Sequence, residues 1–320
     1  MNVLLVGLGR WGEKHLRVLG ECDASVWVAD VSASRLEWAR GQGVPAERLV
    51  ADYRTALPRV DAVDVVTPAD SHLAVATASL DTGRHCFIEK PLTATVAEGR
   101  ALVRAAEAAG RVVQVGHIFR FHPVTVALKA ALDAGRIGKV RYATGRFSGF
   151  KRPRTDVGVT HTDAIHYFDL FAHLFGRAAT SVSALQRDYL GRGLDDMSVA
   201  IVHYGDVPAI VEANYFVPGT YRDCVIVGER GSLVADYGDS SVMLHLGEFQ
   251  KKGEAWEAVD TGKESLPASG PEPLRAELQS FLDACAGKTA CAVPVEAGLR
   301  AVEVVEGAAR AAREQRTINL

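Results

Sequence analysis

Over the first 118 residues, short apolar runs alternate with longer stretches in which apolar positions return every three or four residues. The runs cover residues 2–6, 25–29, a weaker 48–50, 62–66, 85–88 and 112–115. They are rich in β-branched residues and apolar at nearly every position, which predicts strands of a parallel sheet covered by helices on both faces. The clearest helix is predicted over 95–109, an alanine-rich segment stopping at Gly110, where a left-handed cap is expected.

After a further helix predicted from Pro123 to about residue 134, the period changes. Segments 139–147, 179–187, 197–204, 209–216 and 222–227 alternate apolar and polar positions, which predicts antiparallel strands. Helical patterns return at 273–286 and 295–313, and the Pro- and Gly-rich stretch 261–273 before them reads as a loop. The expected fold class is therefore α/β for a doubly wound Rossmann domain over residues 1–120, then α+β with a large open, mainly antiparallel sheet over 121–320. The closing helices are free to pack back on the first domain.

Composition narrows the partner. Thirty-six Lys and Arg against 39 Asp and Glu leave a net charge of -3, which supplies no general field for nucleic acid or an anionic membrane, so the expected partner is a small molecule. No apolar run reaches the roughly 18 residues needed to cross a bilayer. The N-terminus reads as a strand rather than a signal peptide, so cytoplasmic residence is expected. Cys22, Cys86, Cys224, Cys285 and Cys291 are scattered and form no Cys-x-x-Cys, consistent with buried free thiols.

The first strand runs directly into Gly7-Leu8-Gly9-Arg10-Trp11-Gly12 and then a helix. In that context Gly7 permits a tight turn, Gly9 keeps a side chain away from a pyrophosphate, and Gly12 lets helix and strand approach. Arg10 and Trp11 open the helix whose N-terminus would face the phosphates. Asp30 ends the second strand, where a carboxylate accepts ribose hydroxyl protons and repels a 2′-phosphate. NAD is the expected cofactor; Ser32 and Arg35 keep NADP open as the less favoured one, and a plain helix cap is the alternative role for Asp30.

Further motifs follow in order: Val65-Val66-Thr67-Pro68-Ala69-Asp70-Ser71-His72, Ile88-Glu89-Lys90-Pro91-Leu92, and Val115-Gly116-His117-Ile118-Phe119-Arg120-Phe121. With the glycine turn, this series resembles the glucose-fructose oxidoreductase, inositol dehydrogenase and MocA (Gfo/Idh/MocA) family along the whole chain. The resemblance implies that Thr67, Pro68 and His72 lie along the cofactor, that Glu89 and Lys90 sit beside the nicotinamide, and that a cis bond precedes Pro91. Arg120 is a candidate for shaping the substrate cleft or for a structural ion pair.

The segment Val159-Thr160-His161-Thr162-Asp163-Ala164-Ile165-His166-Tyr167-Phe168-Asp169 resembles the family's catalytic helix. Spacing by three puts Asp163, His166 and Asp169 on one face, with Ile165, Phe168, Ala172 and Phe175 expected on the buried side. His166 and Asp169 match the family pattern. The aspartate usual four positions before the histidine is here Thr162, with Asp163 displaced by one residue, a rotation of about 100° on an α-helix. The expected chemistry gives His166 the proton of a secondary alcohol, Lys90 the reacting oxygen, and Asp163 a supporting part. His161 and His173 raise a metal reading, but nothing completes a ligand motif, and no metal is expected.

Lys151, Arg152 and Arg154 precede this helix and suit an anionic substrate tail, although a solvated basic loop has equal weight. Candidate substrate contacts are thus Lys90, Arg120, Arg152, Thr162, Asp163 and His166. The Trp11-Gly12 pair is similar to that of family members acting on nucleotide sugars, which favours oxidation at a ring hydroxyl such as C3 of a UDP-sugar. Inositol or a free sugar is the nearest alternative; an NADP-dependent reductase of small carbonyls and a non-catalytic NAD sensor are the others. The open sheet must be covered, and the family resemblance likewise implies a homodimer or homotetramer.

Overall fold

A computed structural model describes every residue, Met1–Leu320. The chain divides into two compact units, Met1–Ile118 with Glu272–Val302, and Phe119–Pro271 with Glu303–Leu320.

The first unit holds β1 (Asn2–Val6), α1 (Arg10–Glu21), β2 (Ser25–Ala29), α2 (Ala33–Gly41), β3 (Leu49–Val50), β4 (Ala62–Val65), α3 (Ala69–Asp81), β5 (His85–Glu89), α4 (Val96–Ala109) and β6 (Val113–Gly116). All six strands are parallel, in the order β3-β2-β1-β4-β5-β6. This is the doubly wound arrangement whose order reverses beside β1, where a dinucleotide binds at the carboxyl ends. Burial on both faces explains the uninterrupted apolar runs: Val3, Leu4 and Leu5 of β1 have no exposed surface. Thr95 caps α4 in a reciprocal capping box with Glu98, and Gly110 ends it with φ +57°.

The domain expected over 121–320 gives up Glu272–Val302 to this unit. The reason is apolar burial. After α5 (Pro123–Asp133), the strands and α6 (Ile165–Phe175) of the second unit, α7 (Pro273–Cys285) places Leu274, Leu278, Phe281 and Leu282 in one cluster with Leu16, Leu19 and Phe87. Phe281 meets the ring of Phe87 edge-on at 5.7 Å. The last helix, α8 (Val295–Glu314), contributes residues to both units.

The second unit is built on nine strands: β7 (Val140–Gly149), β8 (Ser181–Arg187), β9 (Met197–Tyr204), β10 (Val207–Asn214), β11 (Thr220–Gly228), β12 (Gly231–Asp236), β13 (Ser241–Lys252), β14 (Ala255–Leu266) and β15 (Ile318–Asn319). Their order is β14-β13-β12-β11-β7-β10-β9-β8-β15, antiparallel except where β7 lies parallel to β10. Helix α5 packs on β12 and β13, and α6 on β9 and β10. Paired across β9 and β10, Ile201 and Ile210 are each 41% exposed.

The expected loop over 261–273 is corrected by β14, which runs on to Leu266, and β12 and β13 were not foreseen either. Most side chains of β13 beyond His245 and nearly all of β14 are exposed, so the outer part of that hairpin has no buried face to read, whereas β12 and the start of β13 do alternate, burying Leu233, Ala235, Val242 and Leu244. All five cysteines are free thiols. No helix is long and apolar enough to cross a membrane.

Candidate functional site

The turn from β1 into α1 is closed where its glycines demand it and open where a ligand would need space. Gly7 takes φ +100°, and a Cβ there would lie 2.5 Å from the carbonyl oxygen of Val66. A Cβ on Gly12 would lie 2.0 Å from that of Gly7, whereas one on Gly9 would meet nothing within 4 Å. No side chain caps α1, so its first N–H groups and positive dipole end suit a pyrophosphate. A cavity of about 240 Å³ begins here, lined by Gly7, Leu8, Gly9, Asp30, Thr67 and Pro68 with Ala51 and Tyr53 beyond. Arg10 is exposed at the first position of the helix.

Asp30 is tied to this turn: one carboxylate oxygen accepts the N–H of Leu8 at 2.7 Å and the other that of Ser32 at 2.8 Å. Arg35 donates to the carbonyl of Leu8 at 2.6 Å and ion-pairs with Glu13, so protein groups already occupy the cation weighed for a 2′-phosphate. The residues fit NAD: an uncapped helix end, an open face at Gly9 and a carboxylate at the end of β2.

Lys90 follows β5 on a cis Lys90–Pro91 bond and is half-buried. His72 is 1% exposed and pins the far side of this turn, its Nδ1 at 3.0 Å from the carbonyl oxygen of Pro91 and its Nε2 at 2.9 Å from that of Thr67. Its ring thus bridges two carbonyls inside the unit and does not line the glycine-turn cavity. Glu89 is likewise turned inward. Its carboxylate accepts the Nε1–H of Trp11 at 2.5 Å and the backbone N–H of Lys90 at 3.0 Å, and lies 3.2 Å from Nε2 of His15.

In the second unit, the expected regular helix is corrected in its first part. Thr160–Ala164 forms a π-helical turn and α6 starts at Ile165, so uniform 100° steps do not hold before His166. Nor is α6 apolar on one side only. His166, Tyr167, Asp169 and Phe171 are buried together with Ile165 and Phe168, while Ala172 and Phe175 are only partly so. His166 forms a cluster of three rings with Phe119, with centroids 4.8 Å apart, and Phe147 at 5.3 Å and nearly parallel at 8°, the two phenylalanines themselves 5.9 Å apart. The Arg222 guanidinium lies over the Phe147 ring, 3.4 Å from its centroid, and burial pulls its pKa down.

The remaining candidates of this unit are committed to partners. Asp163 takes the Lys151 ammonium at 2.7 Å, and Thr162 shares a hydrogen bond with the Tyr215 hydroxyl at 2.8 Å. Arg120 meets Asp169 with two parallel bonds of 2.8 and 2.6 Å, the geometry of a structural ion pair. All three expected cations are exposed; Lys151 faces Asp163 and Arg154 faces Asp156, which leaves Arg152 without a carboxylate partner. His173 lies half-buried with its pKa lowered by that burial.

Sequence reading missed His15, Asp64, Tyr53, Phe119, Phe147, Tyr215 and Arg222. One signal was present: Asp64 interrupts the apolar run Ala62-Val63-Asp64-Val65, and a carboxylate in a doubly covered strand requires a partner. The aromatic stack had no local signal, because Phe119, Phe147 and His166 are distant in sequence.

Two family models match the chain: residues 1–117 the oxidoreductase family's NAD-binding Rossmann fold, and residues 129–320 the same family's C-terminal alpha/beta domain, both of Gfo/Idh/MocA type. Among curated proteins, inositol 2-dehydrogenase 1 of Saccharopolyspora erythraea is 30% identical over 97% of this chain and 94% of its own. The UDP-N-acetylglucosamine 3-dehydrogenase of Acidithiobacillus ferrooxidans is 33% identical over 89% of each. A solved structure of that UDP-N-acetylglucosamine 3-dehydrogenase aligns with a TM-score of 0.84 at 26% identity, covering 98% of both chains.

Proposed function

The chain belongs to the Gfo/Idh/MocA oxidoreductase family, among its NAD-dependent sugar and polyol dehydrogenases, and from that premise we propose that it oxidises a nucleotide-linked sugar at a ring secondary hydroxyl, C3 of a UDP-sugar. The observation carrying this reading is that UDP-N-acetylglucosamine 3-dehydrogenase is similar to this chain both in sequence and in fold.

Bound NAD supplies the hydride acceptor. Gly7, Gly9, Gly12 and Asp30 would hold it by the turn, the helix end and the carboxylate, with Thr67 and Pro68 lining the groove and Arg10 and Trp11 in the first turn of that helix. The Lys90 ammonium donates a hydrogen bond to the reacting oxygen and stabilises the alkoxide charge that develops as the C–H bond breaks. His166 accepts the hydroxyl proton, its ring plane fixed by Phe119 and Phe147. Asp163 acts through Lys151, Arg120 through Asp169, and Thr162 through Tyr215, as supports of that helix. Arg152 is the cation assigned to a substrate diphosphate.

An inositol is the second reading, favoured by the inositol 2-dehydrogenase likeness and by the pairing of Lys151 and Arg154 with this chain's own carboxylates, which suits an uncharged substrate. NADH formation from NAD with UDP-N-acetylglucosamine, myo-inositol and free aldoses separates the two. Turnover of the UDP-sugar alone supports the first reading, and turnover of inositol alone replaces it with the second. Self-association through the sheet face bearing Ile201 and Ile210 belongs to the same proposal, and a monomeric mass in sedimentation would overturn it.

A further inference from the structure

Two carboxylates of the first unit are buried where neither touches the cofactor groove, and one imidazole joins them. Trp11 and His15 stand four residues apart on α1, hence on one face, with ring centroids 6.1 Å apart. His15 is fully buried, its Nδ1 2.8 Å from the Asp64 carboxylate on β4 and its Nε2 3.2 Å from that of Glu89 at the end of β5. Glu89 in turn accepts the backbone N–H of Lys90. The carboxylate has room only because Gly116 ends the neighbouring β6, where a Cβ would lie 3.0 Å from its oxygen. Glycine turn, Glu-Lys-Pro triplet and Val-Gly-His segment therefore converge on one carboxyl group behind the lysine.

We propose that His15, clamped between Asp64 and Glu89, is a positioning residue that keeps the Glu89 carboxylate ionised and fixed behind Lys90, and so holds the lysine charged and aimed. The inference rests on the assignment of Lys90 to the reacting oxygen. Removing His15 would leave two carboxylates sharing a dry pocket, and like charges in such a site cannot both stay ionised. Burial already pushes the Asp64 carboxyl up, so a proton would go first to Asp64 and be shared with Glu89 across the vacated space, and Lys90 would lose part of the counter-charge at its back and the group that fixes it. The titration tendencies agree: burial opposes a charged ring, but Asp64 and then Glu89 overcome it and raise the His15 pKa to about 10. Burial pushes Glu89 up as well, yet His15, Lys90 and Trp11 hold it below the usual carboxylate value.

The test is the pH dependence of Lys90 acylation by trace acetic anhydride, followed peptide by peptide by mass spectrometry on the full chain, alongside turnover and NADH binding. In Glu89→Gln the apparent pKa of Lys90 is expected to fall by about one unit or more, as for loss of a neighbouring opposite charge, and in His15→Gln it should fall by less, because the proton is shared with Asp64. The double variant should shift no further than Glu89→Gln alone, because both act through the same carboxylate. Turnover should fall by about tenfold or more through kcat, with NADH affinity little changed, as for misplacement of a reacting group. If His15→Gln does not melt cooperatively, Asp64→Asn carries the test, with a smaller shift in the same direction. A Lys90 titration that moves in Glu89→Gln but stays put in a folded His15→Gln or Asp64→Asn would reduce His15 to a structural histidine and overturn the proposal. Lys90→Met tells the two failures apart: full turnover in that variant sinks the assignment of the lysine, while the acylation shift still reports on the clamp.

Discussion

Lys90 and His166 are fixed by opposite physical means. Around Lys90 the frame is polar and internal: Glu89, His15, Asp64 and His72 place a strand-end turn through hydrogen bonds at 2.8–3.2 Å, all shut away from solvent. Around His166 the frame is aromatic, with Phe119 and Phe147 stacked on the ring and Tyr237 stacked in turn on Phe119 at 4.6 Å. A hydrogen-bonded frame sets charge as well as position, because each partner biases ionisation in a low dielectric. A stacked frame sets the plane of a ring without itself placing a charge against it. On the roles proposed above, the first suits the ammonium of Lys90, which would stay charged, and the second the imidazole of His166, which would change state.

The contrast breaks most visibly at the two groups themselves. Lys90→Met and His166→Asn are each expected to lower kcat by about 10²–10⁴-fold, the range for a lost proton-transfer or charge-stabilising group, with NADH still bound by fluorescence titration. Retention of wild-type kcat in either variant would remove that residue from the chemistry. Next in size, Gly12→Ala places a Cβ against the carbonyl oxygen of Gly7 and should abolish NADH binding without changing the fold of the antiparallel unit, as followed by calorimetric binding and circular dichroism. Smaller again, Phe147→Leu keeps an apolar side chain but loses the parallel stack on His166, worth about 0.5–1.5 kcal/mol, and should cut kcat by about tenfold or less with the Lys90 titration unmoved.

The mildest effect sharpens the contrast through pH. His15 has an ordinary value of 6.5 and a folded value near 10, so the folded state keeps a proton that the unfolded chain releases between those limits. The stability it contributes is complete below pH 6.5 and is lost as pH rises toward about 10. Urea midpoints of the wild type should decline across that window, and His15→Gln should be lower at its acid end and flatter through it. An equally steep decline in the variant would show that another group titrates there.

The two regions were also unequally legible in the sequence. Strands buried on both faces write themselves as apolar runs, and a glycine turn is legible because Gly7 and Gly12 have no substitute in that space. The motif residues Asp30, Lys90 and His166 could be named for the same reason: their chemistry goes with residue type. What escaped depends on groups meeting across the fold. The outer part of the β13–β14 hairpin lacks a buried face, the π-helical turn before His166 holds Thr162 against Tyr215, and the partners of Arg120, Lys151 and Arg154 are specific carboxylates. His15 was passed over because an isolated buried histidine reads as core until Asp64 and Glu89 are seen on either side of it.

The most direct measurement is the fate of the hydrogen on the oxidised carbon. UDP-N-acetylglucosamine deuterated at C3 would be incubated with the full chain and NAD, and the NADH formed analysed by mass spectrometry. Deuterium in the NADH, slower turnover than with the protiated sugar, and loss of both signals in Lys90→Met are expected if hydride leaves C3 and passes to the nicotinamide. NADH formed without deuterium, or no NADH from this sugar while myo-inositol is turned over, would contradict the nucleotide-sugar reading.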